Sequence, residues 1–253
     1  MSILSTIKRI NYYRKVYANW ISVILNVKRH KELIHVKFRN EKAIKNSGIC
    51  TLPCSYGLVD LVEHGFLNPK LLYFNSDGKL YYNGHEVIQD SYLSFLISIC
   101  GFMKNGNIWY HPQLNAKFKE PINYSIYEVF CLEDYGGIDV NGREVVDIGG
   151  NVGDSAIYFA LKGGKYVYSF EPLPNVYNVA IENIKLNGLE NKIKIINAGI
   201  ASKEGEILVP SNFDVEKSHD FSVNNKGDIK IPIYSIENIR KMIKDPYLLE
   251  IGL

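Results

Sequence analysis

The sequence predicts an α/β protein whose parallel sheet follows an α+β appendage and an N-terminal helix. From residue 144 onward, short apolar runs alternate with helical segments, and a glycine-rich turn follows the first run. Residues 33–130 instead contain a few strand-like stretches, such as Leu33–Phe38, which alternates with a two-residue period. Short strand–helix–strand connections favour parallel strands with right-handed crossovers. We therefore expect a helix in residues 1–30, the appendage in residues 31–137 and a partial Rossmann-like domain in residues 138–253.

The N-terminal segment reads as one amphipathic helix over residues 3–27, because isoleucines recur there at three- and four-residue steps. Residues 1–45 contain eleven Lys and Arg but two acidic residues, a net charge of +9 on a chain of +2. Such a helix could lie on an anionic membrane, but packing of its apolar stripe on its own domain is favoured. No signal peptide is visible, and no apolar run reaches the roughly 20 residues that span a bilayer. We expect a cytoplasmic protein.

The appendage is predicted from turn and strand signals. Asn83-Gly84 lies between two apolar runs, which is typical of a two-residue β-hairpin, and residues 107–119 are again strand-like. Cys50 and Cys54 form a C-x₃-C pair, but no second pair stands at the spacing of a zinc site. We therefore expect no metal.

The Rossmann-like part is predicted as three strands and two helices in strict alternation. The strands are Glu144–Ile148, Tyr166–Phe170 and Lys192–Asn197, and the helices are Asp154–Leu161 and Pro174–Asn187. Glycines at 163, 164 and 188 follow the two helices, as is common at helix C-termini.

A glycine-rich loop, Asp147-Ile-Gly149-Gly150-Asn151-Val-Gly153-Asp154, leaves the first of these strands. Gly149 and Gly153 allow positive φ and a close approach of a ligand to the backbone. Such loops bind NAD, flavins or S-adenosylmethionine (SAM), and two features favour SAM. Asp147 stands where it could hold a cationic amino group, and the glycine spacing departs from G-x-G-x-x-G.

Glu171 ends the second strand, 24 residues after Asp147. A carboxylate at this point accepts hydrogen bonds from ribose hydroxyls, which supports a ribosyl ligand without choosing between SAM and NAD. An NAD-dependent oxidoreductase therefore stays open as a less favoured alternative. Binding of nucleic acid is not expected, because no motif for a flipped base accompanies the basic leader.

The motifs Asp147–Asp154, Ser169–Pro174 and Ala180–Asn187 resemble the FkbM family of SAM-dependent methyltransferases. The resemblance covers about residues 126–240. It implies a Rossmann-like fold and transfer of a methyl group to a hydroxyl of a sugar or similar small molecule. Carried over by position, it implies that the SAM site contains the following residues: Asp147, Gly149, Gly150, Asn151, Gly153, Asp154, Glu171 and Asn197, with Asn197 near the adenine.

The sequence does not show which residue is the catalytic base. His219 and Asp220 lie in a polar segment that could reach a substrate, although a solvated loop is the favoured interpretation. Asp134 and Tyr135 precede the first strand and could line the mouth of the SAM site.

The family pattern continues with a hairpin at residues 206–234, a helix at Ser235–Met242 and a fourth strand that reads roughly K-I-D-x-E-G-x-E. Here Tyr247–Leu253 matches only the beginning of that strand. From the missing acidic residues we expect weak or no turnover in this chain. A catalytically silent SAM-binding or partner-binding remnant is therefore the alternative to an active enzyme.

Overall fold

The computed structural model describes residues 3–40, 45–221, 227–243 and 246–251. The chain divides into two compact units, unit 1 (Met1–Met103) and unit 2 (Lys104–Leu253). Within the described residues, no helix is both long enough and apolar enough to cross a membrane.

Unit 1 contains four helices and two small antiparallel sheets among its described residues. The first sheet pairs β1 with β2, and the second has the order β3-β4-β5. The elements are α1 (Ile3–Val16), α2 (Trp20–Lys28), β1 (Leu33–Lys37), β2 (Ser47–Thr51), α3 (Leu52–Glu63), β3 (Leu72–Phe74), β4 (Leu80–Tyr82), β5 (His85–Glu86) and α4 (Tyr92–Cys100), with a 3₁₀ turn at Pro69–Leu71. The predicted hairpin is confirmed, because Asn83 and Gly84 both have positive φ between β4 and β5.

The prediction of a single N-terminal helix over residues 3–27 is wrong, because the helix is interrupted at residues 17–19. There the backbone N–H of Ala18 donates to the carbonyl of Lys37 at 2.7 Å, and Tyr17 forms a β-bridge with Phe38. The side chain of Asn19 bonds the backbone at both His35 and Lys37. Pairing with this extended segment replaces helical hydrogen bonds, so the predicted isoleucine stripe is not continuous. Tyr13, Val16, Tyr17 and Val23 are buried, whereas Ile7 and Ile21 are exposed.

Unit 2 begins with a three-stranded sheet and continues into a parallel sheet and a smaller sheet. Its elements are β6 (Met103–Asn105), β7 (Ile108–His111), β8 (Ala116–Lys119), α5 (Tyr124–Phe130), β9 (Glu144–Ile148), α6 (Asp154–Leu161), β10 (Tyr166–Phe170), α7 (Pro174–Leu186), β11 (Ile193–Ile196), β12 (Gly199–Ala201), β13 (Gly205–Val209), β14 (Ile229–Ser235), α8 (Ile236–Met242) and β15 (Pro246–Ile251), with a 3₁₀ helix at Val215–Asp220. The predicted hairpin is present as the antiparallel pair β13 and β14.

Four parallel strands form the central sheet in the order β11-β10-β9-β15. In chain order this is 3-2-1-4, the arrangement of a Rossmann-like fold, so the predicted fold class is confirmed. The crossovers through α6 and α7 run in one direction, and the crossover through α8 runs back. One face of the sheet therefore packs on α8 through Val146, Phe170 and Ile239. The carboxyl ends of β9 and β10 meet where the strand order reverses, which is where α/β folds bind ligands.

Asn183 of α7 and Asn187, the residue that caps the end of α7, attach the edge strand β8 to the Rossmann-like part. Asn183 accepts from the N–H of Lys119 at 2.9 Å, and Asn187 both accepts from the N–H and donates to the carbonyl of Lys117. Residues four apart share one face of a helix, so the pair satisfies polar groups that an edge strand leaves open.

Candidate functional site

The glycine-rich loop after β9 is a tight turn held by its own backbone. The N–H groups of Gly149 and Gly150 both donate to the carbonyl of Phe170, and that of Gly153 donates to the carbonyl of Gly150 at 2.7 Å. Gly149 and Gly153 have φ near +88° and +85°, which favours glycine. Gly150 is required for another reason, because a Cβ there would overlap the hydroxyl of Ser169.

Asp147 lies fully buried at the end of β9, and both of its oxygens are bonded within the protein. Oδ1 accepts from the hydroxyl of Ser155 on α6 at 2.9 Å, and Oδ2 accepts from the hydroxyl of Ser169 on β10 at 2.6 Å. The carboxylate therefore ties two strands and a helix together beneath the loop. Ser155 lines the cavity described below and connects Asp147 to it.

Glu171 joins the loop after β9 to the loop after β10. Its Oε2 accepts from the N–H of Asn151 at 2.9 Å, and its Oε1 accepts from the N–H of Leu173 at 2.8 Å. Burial raises the pKa of Glu171 to about 7, although these two hydrogen bonds oppose the shift. Each oxygen retains a second lone pair, so the carboxylate has capacity for two further donors.

Asn151 is the centre of a buried polar network that reaches distant parts of unit 2. Its Oδ1 accepts from Asn123 Nδ2 at 2.8 Å and from Ser218 Oγ at 2.6 Å, and its Nδ2 donates to Ser125 Oγ. Its φ of +45° lies in the left-handed region, where asparagine is enriched. The network fixes the glycine-rich loop against the start of α5 and the 3₁₀ helix.

Asn197 has a structural position at the end of β11. Its Nδ2 donates to the carbonyls of Glu171 and Pro172 at 2.8 and 3.0 Å. The amide thereby fixes the backbone that carries Glu171. The neighbouring residues Ala198 and Gly199 contribute to the cavity wall.

A cavity of about 860 Å³ opens at the carboxyl ends of β9 and β10, within the size range of small-molecule sites. Its walls combine apolar side chains, such as Phe170 and Ile200, with carboxyl groups. In the part of the chain that the structure describes, five carboxyl residues line the cavity, namely Glu128, Asp134, Asp154, Glu171 and Asp220. Among the described residues, no lysine or arginine lines the cavity. The enclosed volume therefore favours a ligand that carries positive charge.

Asp154 is the first residue of α6 and is 2% exposed. Its Oδ1 is buried and has no hydrogen-bond partner in the described part of the chain. Burial raises the pKa of this carboxyl to about 7, and repulsion from Asp147 acts in the same direction. An unpaired buried oxygen costs free energy, so a ligand donor or cation that reached it would be bound favourably.

His219 lies in the cavity wall rather than in the solvated loop that the sequence favoured. The 3₁₀ helix at Val215–Asp220 begins with the Asp214 side chain accepting from Glu216 N–H, and it turns His219 towards α5. The imidazole stacks on Tyr124 with ring centroids 6.0 Å apart. Nε2 lies 3.5 Å from Asp220 Oδ2, and Nδ1 is buried without a partner in the described residues.

Glu128 and Asp134, which we call the acidic wall, line the cavity together with Tyr135 and His219. Burial raises the pKa of Glu128, repulsion from Asp134 and Asp220 adds to the shift, and His219 opposes it. In the part of the chain that the structure describes, no group of three or more His, Cys, Asp or Glu residues is arranged to hold a metal ion.

The family comparison addresses the same segment. A model of the methyltransferase FkbM domain matches residues 147–251, from Asp147 near the end of β9 to the end of β15. This chain is therefore similar to the FkbM domain over residues 147–251. The match includes the loop, Glu171, the 3₁₀ helix and α8, whereas Glu128, Asp134 and Tyr135 precede the matched residues in the chain.

The chain is also similar, over part of its length, to a curated protein and to solved structures. Protein arginine N-methyltransferase 6 of Xenopus tropicalis is 25% identical over 85 residues, which are 34% of this chain and 24% of that protein. TYW2 of M. jannaschii, solved in complex with AdoMet, is 23% identical and covers 47% of this chain and 56% of its own, with a TM-score of 0.31. The METTL16 MTase domain is 15% identical over 51% of this chain and 50% of its own, with a TM-score of 0.34. The chain thus spans about a quarter of the length of the curated relative.

Proposed function

We propose that the FkbM domain, with the acidic wall before it, binds SAM and transfers its methyl group to a hydroxyl of a small molecule such as a sugar. The observation that carries the cofactor assignment is Asp154. A dinucleotide places its pyrophosphate at the N-terminus of the helix after the glycine loop. Here a carboxyl group occupies the first position of α6, so an anion would meet repulsion there.

A SAM molecule fits the donor set of the cavity better than a dinucleotide does. SAM carries a sulfonium and an ammonium group, and the five carboxyl residues of the lining match positive charge. We assign the unpaired Oδ1 of Asp154 to a cationic group of SAM. We assign the free lone pairs of Glu171 to the ribose hydroxyls.

In this proposal, Asp147, the three glycines of the loop and Asn197 determine the shape of the SAM site. Asp147 positions Ser155 and holds α6 to the sheet. Gly149, Gly150 and Gly153 allow the tight loop, and Asn197 fixes the backbone of Glu171. These are positioning roles, because both oxygens of Asp147 and Nδ2 of Asn197 are hydrogen-bonded within the protein and the glycines have no side chain.

Methyl transfer requires an acceptor oxygen in line with the methyl–sulfur bond, and SAM supplies the electrophilic methyl group with a good leaving group. The chain must orient the hydroxyl and remove its proton. We assign proton removal to Nδ1 of His219, because this nitrogen is unpaired and Asp220 lies near Nε2, where it can stabilise the imidazolium. When SAM supplies its methyl group, His219 would take the proton of the acceptor hydroxyl.

Tritium-labelled SAM tests this function with a panel of neutral sugars, amino sugars and sugar phosphates. We expect transfer to a neutral or cationic acceptor and weaker transfer to phosphorylated ones, because Glu128, Asp134 and Asp220 line the cavity. The substitution His219→Ala should lower transfer by about 100-fold or more, with partial recovery on addition of imidazole. SAM binding without transfer to any acceptor would instead support the SAM-binding module without turnover.

A further inference from the structure

A second cleft lies in unit 1, along the exposed face of α1. This basic cleft has a volume of about 620 Å³ and is lined by Lys8, Asn11, Tyr12, Arg14, Lys15 and Arg39. Of the six described residues in its lining, four are cations and none is acidic. It is thus opposite in charge to the cavity of unit 2.

Backbone contacts hold the two sides of the basic cleft together. The N–H of Arg39 donates to the carbonyl of Val16, at the end of α1, at 3.2 Å. The bridge between Tyr17 and Phe38 lies next to this bond, so the break after α1 is what brings Arg39 to the helix.

Aromatic rings support two of the cations. The Nζ of Lys15 lies 4.6 Å from the ring centroid of Tyr12, and the guanidinium of Arg14 lies 5.9 Å from that of Trp20. These contacts restrict the long side chains, which lowers the entropy that ligand binding would cost.

By contrast, the charge of Arg9, on the same helix, is neutralised by acidic residues of unit 1. Arg9 forms ion pairs with Asp60 at 2.6 Å and with Glu63 at 3.3 Å on α3. The four cations of the basic cleft form no ion pair with a carboxylate in the part of unit 1 that the structure describes. The helix dipole favours Arg14 and Lys15 in the last turn of α1, but it does not account for Lys8 or Arg39.

We propose that the basic cleft binds an anion with two or more phosphate charges, either as a soluble diphosphate or as a phosphorylated lipid headgroup. Arginine donates two parallel hydrogen bonds to phosphate oxygens, and the lysines add charge in the same concave surface. Asn11 and Tyr12 supply uncharged donors. This inference is independent of the proposed methyl transfer, because it concerns residues of unit 1 alone.

Inorganic pyrophosphate is the probe, titrated calorimetrically into the full chain at low ionic strength. We expect saturable binding that the double substitution Arg14→Gln/Arg39→Gln weakens at least about tenfold. The matched control is Lys28→Gln/Lys31→Gln, which removes the same charge from exposed positions of unit 1 outside the cleft. Unchanged melting temperatures establish folding, and Lys15→Gln/Arg39→Gln serves as a second cleft variant.

Sedimentation with phosphatidylcholine vesicles, with and without phosphatidylinositol 4-phosphate, separates the two sources of phosphate. Binding of pyrophosphate alone identifies a soluble ligand, and cleft-dependent binding to the anionic vesicles identifies a headgroup. The proposal is overturned if neither probe binds, or if the control substitution weakens binding as much as the cleft substitution. Binding of single-stranded RNA without binding of pyrophosphate or vesicles would also overturn it. A separate SAM titration of the cleft variant should be unchanged, so failure here leaves the proposed function intact.

Discussion

The cavity of unit 2 and the basic cleft of unit 1 differ in charge sign and in how the charges are exposed. In the cavity, Asp154 and Glu171 are buried carboxyls whose pKa burial raises to about 7, so their charge depends on pH and on a ligand. In the cleft, the cationic side chains of Lys8, Arg14 and Arg39 are exposed to solvent. One chain thus presents a site suited to an enclosed cation and another suited to a solvated anion.

The largest effect is expected from Gly150→Val. The added side chain would overlap Ser169 and crowd the carboxylate of Asp147, so the loop after β9 could not close. We expect loss of measurable SAM binding and a free energy of unfolding lower by about 1–3 kcal/mol. Chemical denaturation and calorimetry measure both quantities.

The control is Gly137→Val, since a Cβ at Gly137 meets no atom within 4 Å. Pyrophosphate binding at the basic cleft should survive both substitutions. Equal SAM affinity in the Gly150 and Gly137 variants would contradict the place assigned to the loop.

A smaller effect is expected from Asp154→Asn, which keeps the shape of the side chain and removes its charge. SAM affinity should fall about 10- to 100-fold, because a charge-assisted contact is lost. In the unsubstituted protein, SAM affinity should rise between about pH 6 and pH 8 as this carboxyl ionises, and in the variant this rise should be smaller. Glu190→Gln, at an exposed acidic position, is the matched control.

Salt should weaken ligand binding at the basic cleft much more than in the cavity. Ions screen exposed charges over about 10 Å at 0.1 M salt, whereas buried groups are screened much less. Raising the NaCl concentration about tenfold should therefore weaken pyrophosphate binding by about tenfold or more and change SAM affinity less than about twofold. A SAM affinity as sensitive to salt as that of pyrophosphate would place SAM at the surface rather than in the cavity.

The smallest effect concerns the stability of the ligand-free protein. Between the ordinary carboxyl pKa and about 7, the folded state binds more protons at Asp154 and Glu171 than the unfolded state does. These two groups therefore lower stability as pH rises through this range. Relative to the unsubstituted protein, Asp154→Asn should raise the melting temperature by a few degrees more at about pH 8 than at about pH 5. Scanning calorimetry at the two pH values measures this, and a difference of the opposite sign would contradict the raised pKa.

Much of the Rossmann-like part could be predicted from local sequence. The three strands and two helices after residue 144 have strong apolar periodicity, and the glycines at 149 and 153 adopt the positive φ values that their positions suggested. The hairpin at Asn83-Gly84 follows from turn chemistry alone. In each case residues near in sequence decide the structure.

The parts that sequence did not reveal depend on contacts between distant residues. The break after α1 results from pairing with residues 35–38, which competes with a helix that periodicity alone favours. Ser218 accepts a hydrogen bond from Asn123, which lies 95 residues away in the chain, and Ser218 and His219 both line the cavity. A polar segment gives no local sign of such a partner, so it reads as a solvated loop.

Asp147 and Asn197 show the same limit within the predicted site. Both lie at the expected strand ends, but neighbouring hydroxyls and carbonyls engage their side chains. Residue type indicated that these positions belong to a binding loop. It could not indicate which of the acidic residues keeps an unpaired oxygen, and the fold gives that position to Asp154.

Parallel calorimetric titrations of the full chain with SAM and with NAD⁺ test the central claim most directly. The carboxyl-lined cavity predicts saturable SAM binding at one site and an affinity for NAD⁺ at least about 100-fold weaker, because the N-terminus of α6 is occupied by Asp154. Absence of SAM binding, or tighter binding of NAD⁺ than of SAM, would contradict it.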